Sequence, residues 1–125
     1  MRFLWIAVGA ALGANARYLV GLWAGARWGG AFPYGTFLVN VTGSLMLGFL
    51  LAMSMEHFLT SSQSRLLLAT GFLGSYTTFS TYMVESVNLL ETGRPTLALA
   101  NLAGETAVGL ACALLGIWLV RALGW

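Results

Sequence analysis

Four apolar stretches, near residues 3–23, 34–55, 66–89 and 96–121, fill almost the whole chain. Each is long enough to cross a hydrocarbon core, which takes roughly 20 residues as helix. Lipid offers no hydrogen-bond partner to backbone groups, so a chain built this way folds into helices whose bonds close within each segment. The joints agree. Gly29, Gly30 and Pro33 separate the first two stretches, His57 to Arg65 form a polar loop, and Glu91 to Pro95 separate the last two. Pro33 and Pro95 each stand where a helix would begin, a position that tolerates a missing N–H. Trp5, Trp23, Trp28, Trp118 and Trp125 fall at or beyond stretch ends, as interfacial aromatics do. With six arginines, four glutamates, no lysine and no aspartate in 125 residues, little is left for a soluble domain. The expected fold is an all-α membrane protein, one domain of four spans covering residues 1–125.

The third stretch breaks the pattern at its centre. Residues 71–82 read Gly-Phe-Leu-Gly-Ser-Tyr-Thr-Thr-Phe-Ser-Thr-Tyr. Glycines and hydroxyls this dense are poor helix formers, and irregular backbone survives at membrane depth only where protein buries it or a polar path runs beside it. Polar residues of the other stretches line up with it. Thr36, Asn40 and Ser44 recur every fourth residue and share one helix face. Thr78, Tyr82 and Glu85, or Thr81, Glu85 and Asn88, form a second stripe, and Asn101, Glu105 and Cys112 a third. Ionisable groups inside membrane segments mark ion or water pathways. An asparagine NH₂ and aromatic ring edges attract an anion without a full charge to trap it. Exposed carbonyls of an unwound helix suit a cation. One site of each sign is expected.

The arginines are nearly balanced. Four spans put Arg2, Arg65 and Arg121 on one side and Arg27, Arg94 and Arg17, at the end of span one, on the other. Orientation normally follows an excess of basic residues in cytoplasmic loops, so this chain has little to fix its insertion. A protein that inserts both ways can pair with its own inverted copy. The N-terminus also has the outline of a secretory signal, with Arg2, an apolar run and Ala14-Asn15-Ala16. The return of apolar residues at Tyr18 to Leu22 and the Gly9/Gly13 small-residue face favour a span. Cys112 is the sole cysteine and reads as a small apolar residue, and the lone His57 as an interfacial one.

Three runs together, Gly9 to Tyr18, Pro33 to Gly43 with Asn40 inside it, and Gly71 to Tyr82, resemble the Fluc (CrcB-type) family of bacterial fluoride channels over essentially the whole chain. The resemblance implies an antiparallel, dual-topology homodimer with two fluoride pores, each subunit a four-span bundle whose third helix breaks at mid-membrane. It implies passive fluoride efflux across the bacterial inner membrane, lowering cytoplasmic fluoride. Asn40, Phe79 and Tyr82 would carry the pathway, with Thr36, Ser44, Ser80 and Thr81 beside them. A structural Na⁺ at the dimer interface would be held by the backbone carbonyls of Gly74 and Thr77. The chain differs from the family pattern at Tyr82, where Phe is usual, at Ser75 in place of a glycine, and at Glu105 on the fourth-span stripe.

Two other readings compete with a channel. Small proton-coupled dual-topology exporters carry a carboxylate in their first span, whereas this chain has no acidic residue before Glu56. A non-conducting subunit of a heterodimer would carry a fixed charge bias. No nucleophile motif or metal-ligand cluster points to an enzyme.

Overall fold

The structure, a computed structural model, describes residues 1–55 and 61–124. In chain order its elements are α1 (Arg2–Trp28), α2 (Tyr34–Met55), α3 (Ser62–Arg65), a π-helix (Leu66–Leu73), α4 (Gly74–Tyr76), α5 (Phe79–Glu91) and α6 (Pro95–Ala122). Among the described residues there is no strand. Helices α1, α2 and α6 are each long and apolar enough to cross a membrane. The fourth rod is composite. α3, the π-helix and α4 run on without interruption, Thr77 and Thr78 are extended, and α5 resumes at Phe79.

Local chemistry sets the ends. Gly29 (φ 72°) and Gly93 (φ 71°) take the left-handed backbone that stops α1 and follows α5, conformations open to glycine at no steric cost. Pro95 opens α6. Ser61 caps α3, its hydroxyl accepting the Ser64 N–H at 3.0 Å, so the helix begins inside the segment expected to be loop. His57 lies outside the described residues. α1 continues to Trp28, five residues past the expected end at 23, carrying the single Gly25 between good helix formers and stopping only at Gly29. Arg17 is therefore half-buried in mid-helix rather than an anchor at its end. The irregular backbone is also narrower than the run Gly71 to Tyr82. Gly71 to Tyr76 are helical and only two residues leave the helix.

Glycines let backbones touch. A Cβ on Gly48 would strike the Ala113 carbonyl and one on Gly116 the Leu45 carbonyl, so α2 and α6 meet main chain to main chain. Gly9 and Gly13 bring α1 against the π-helix at the Leu67 and Phe72 carbonyls, as the small-residue face of α1 anticipates. Gly43 accommodates the Thr77 methyl, seating α2 on the break. Val39, Leu73 and Tyr76 form the buried centre, flanked by Ala16, Val20, Leu50 and Phe72. At one end Arg94 donates to the Ala31 carbonyl (3.1 Å), and at the other Arg65 donates to the Ser54 hydroxyl (3.4 Å). These two links hold neighbouring helix ends together.

Candidate functional site

The break is held open by a side chain from another helix. Asn40, on α2, accepts the Thr78 N–H at its Oδ1 (2.7 Å) and donates from Nδ2 to the Thr78 carbonyl (2.9 Å). One amide thus satisfies the Thr78 N–H, which has left the helix and would otherwise be orphaned at membrane depth, and also bonds the carbonyl of the same residue. The second Nδ2 hydrogen goes to Oε1 of Glu105 on α6. Thr78 then caps α5, its hydroxyl accepting the Thr81 N–H (3.3 Å).

These bonds have a consequence for two carbonyls. In an uninterrupted helix the Thr78 N–H would reach Gly74 and the Thr81 N–H would reach Thr77. Both donors are turned to side chains instead, one to Asn40 and the other to Thr78. The Gly74 and Thr77 carbonyls lose their helical partners and are left as oxygen donors. Gly74 is exposed. The Thr77 hydroxyl is committed inward, donating to the Leu73 carbonyl (2.9 Å).

A cavity of about 410 Å³ opens beside the break. Asn40, Ser44, Thr78, Phe79, Tyr82 and Glu105 line it, and Gly74 and Thr77 stand at its wall. Tyr82 is buried, its ring edge-on to Phe79 with centroids 5.9 Å apart. Its hydroxyl donates to the Leu102 carbonyl (2.9 Å) and lies 3.0 Å from the Thr106 hydroxyl. The oxygen that distinguishes Tyr82 from phenylalanine therefore ties α5 to α6. Phe79 is 73% exposed, although hydroxyl residues flank it on both sides, Thr77 and Thr78 before it and Ser80 and Thr81 after.

Of the residues expected on the pathway, the structure brings Asn40, Ser44, Phe79 and Tyr82 to this cavity. Thr36 is one turn away. It donates to Glu85 (2.9 Å), and both border a second cavity of about 350 Å³ with Asn88 and Arg94. Ser80 and Thr81 sit on the exposed first turn of α5, and Thr81 accepts the Thr78 hydroxyl proton at 3.0 Å. Asn101 is fully buried and donates to Ser86 (3.0 Å). Glu105 finds its partner in Asn40, not in Asn101, Thr106 or a hydroxyl of α2, since α6 lies close enough to α2 for the carboxylate to reach the amide. Thr78 belongs to the cavity and was legible only as part of a stripe, because its role is carried by its main chain. Among the described residues no group of three or more His, Cys, Asp or Glu side chains could hold a metal.

Helices of membrane-crossing length packed around a broken helix, with an uncharged amide, hydroxyls, two aromatic rings and a carboxyl lining one cavity beside the break, define a membrane protein built to pass a small solute or ion. The sequence model described as CrcB-like protein, Camphor Resistance (CrcB), matches residues 4–117, and the chain belongs to this family. It is similar to proteins called fluoride-specific ion channel FluC. That of Chloroflexus aurantiacus is 46% identical over 119 residues, 95% of this chain and 94% of that protein. Those of Acidobacterium capsulatum (42% over 124 residues, 99% and 96%) and Clostridium perfringens (39% over 118 residues, 94% and 92%) match over nearly the same length.

Proposed function

We propose that the chain is a fluoride channel of the bacterial inner membrane that lets fluoride leave the cytoplasm passively. Membership in the CrcB family and similarity to proteins named as fluoride-specific channels support it. The single observation that carries the site is the Asn40 amide set against a two-residue helix break at the wall of the cavity. A dehydrated anion needs donors that bind without trapping. The cavity supplies an amide, hydroxyls and the aromatic rings of Phe79 and Tyr82, and no arginine lines it. Asn40, Phe79, Tyr82 and Ser44 would form the inner pathway, Thr36 its approach, and Ser80 and Thr81 its rim.

The four-span subunit, the inverted homodimer and the central Na⁺ belong to the same reading. The break falls halfway between Ser62 and Glu91, so the exposed Gly74, Ser80 and Thr81 would meet lipid in a lone subunit. Polar groups at that depth are costly, and a second copy would cover them. The Gly74 and Thr77 carbonyls, stripped of helical donors, fit the oxygen chemistry of a hard cation. Na⁺ bound there would contribute positive charge and tie the two breaks together.

Purified protein in fluoride-loaded liposomes, read with a fluoride electrode after collapse of the counter-ion gradient, tests the function. Efflux of fluoride with retention of chloride is expected. Equal release of both ions, or of neither, rejects it.

A further inference from the structure

Among the described residues, three buried side-chain atoms have no hydrogen-bond partner: Oε2 of Glu85, Oδ1 of Asn101 and Oε2 of Glu105. All are acceptors. Glu105 is 5% exposed, and its other oxygen takes the Asn40 N–H that the break leaves free. Asn40 has two N–H groups. One is held by the Thr78 carbonyl, which also needs the amide in this orientation because Oδ1 binds the Thr78 N–H. The remaining N–H is the one an incoming anion would use, and it already bonds a carboxylate oxygen at the wall of the cavity.

We propose that Glu105 is a tethered occupant of the anion position, and that conduction requires its oxygen to leave the Asn40 amide. The inference rests on the fluoride-channel reading. A carboxylate oxygen and a fluoride ion are both hard, compact acceptors, and a single N–H serves one of them at a time. No cationic side chain on the cavity wall offsets the carboxylate. α2 presents the neutral Asn40 and Ser44, α5 presents Phe79 and Tyr82, α6 adds Thr106 beside Glu105, and no arginine lines the site. Glu85 is itself engaged by Thr36 at the neighbouring cavity, and when ionised it would add to the negative field around Glu105. A carboxylate therefore opposes the anion twice, by holding the donor and by like charge. Protonation weakens the first effect and abolishes the second. Flux should accordingly be greatest in acid and fall as pH rises.

The test compares the parent with Glu105→Gln and Glu105→Ala in fluoride-loaded proteoliposomes from mildly acid to alkaline pH, with protein-free liposomes subtracted for passive HF leak. Size-exclusion profiles would verify assembly, and the near-isosteric Gln variant guards against a folding defect in Ala. Parent flux should fall with rising pH while both variants stay level. On the alkaline side Ala should exceed the parent on the order of tenfold, the shift expected when a charge-assisted hydrogen bond no longer competes. Parent and Ala fluxes that match at every pH would overturn the proposal while leaving the channel intact. So would an Ala variant slower than the parent throughout, which would make Glu105 a structural support. If neither the parent nor any variant moves fluoride at any pH, the channel reading falls and this inference with it.

Discussion

An asparagine that clasps the N–H and the carbonyl of one residue must keep its amide in one orientation, and Asn40 does so at Thr78. Its isostere tests what that orientation accomplishes. In Asn40→Asp the oxygen facing the Thr78 N–H is retained, but the former donor becomes an acceptor aimed at a carbonyl and at Glu105. Any anion in the cavity would also meet a like charge, a repulsion on the order of 4 kcal/mol at about 4 Å and an effective dielectric near 20. Fluoride efflux should be lost while the size-exclusion profile is kept; parental efflux would remove Asn40 from the path. Thr77 gives the opposite expectation. Its hydroxyl donates to Leu73 and only its carbonyl is freed by the break, so Thr77→Ala should leave the Na⁺ dependence of assembly or flux nearly unchanged. A large loss would make the hydroxyl the cation ligand. The sequence showed Asn40 as a polar residue facing a polar stripe. It could not show that Thr78 and Glu105, 38 and 65 residues away, would share its amide, since that depends on how three helices come together.

Elements end where local chemistry says they should, and they break where a neighbour says so. Gly29, Pro33, Gly93 and Pro95 were readable because a positive φ or a missing N–H acts within a turn. The run Gly71 to Tyr82 announced a weak helix, yet the chain departs from it only at Thr77 and Thr78, where Asn40 takes the amide hydrogen. The π-helix from Leu66 to Leu73 had no local signature. Its sequence, Leu-Leu-Leu-Ala-Thr-Gly-Phe-Leu, suits an ordinary helix, and the wider turn faces Gly9 and Gly13 of α1 at touching distance. The joint between α5 and α6 is open to a direct test. Tyr82→Phe deletes the hydroxyl bonded to Leu102 and Thr106 but keeps the ring against Phe79. Thermal unfolding in detergent should show a loss of about 1 kcal/mol, the usual net worth of such a bond. Fluoride flux should persist. Loss of flux without loss of stability would mean that the hydroxyl acts on the ion and not on the helix pair.

At the scale of the whole molecule, the distribution of six arginines decides how the chain meets the membrane. Arg65 bonds Ser54 and Arg94 bonds Ala31, so each marks the end of the bundle where two neighbouring helices turn. If the composite rod also crosses the membrane, Arg2, Arg65 and Arg121 would lie at one end and Arg27 and Arg94 at the other, while Arg17 stands between them within α1. An imbalance of one residue gives the positive-inside preference almost nothing to act on. The surface points the same way, because a lone subunit exposes Gly74, Ser80 and Thr81 at the break, and an inverted copy would bury the same patch of each subunit against the other. We therefore expect both orientations in one membrane. A single cysteine at Gly30, in a Cys112→Ser background, would sit in the exposed joint between α1 and α2, where the open space around Gly30 tolerates a side chain. In intact inverted and right-side-out vesicles a membrane-impermeant maleimide should label about half of the protein from each side. Adding Arg residues beside Gly30 should draw nearly all labelling to the cytoplasmic side and, by removing one orientation, abolish fluoride efflux. Efflux that survives complete one-sided labelling would show that the inverted pair is not the conducting form.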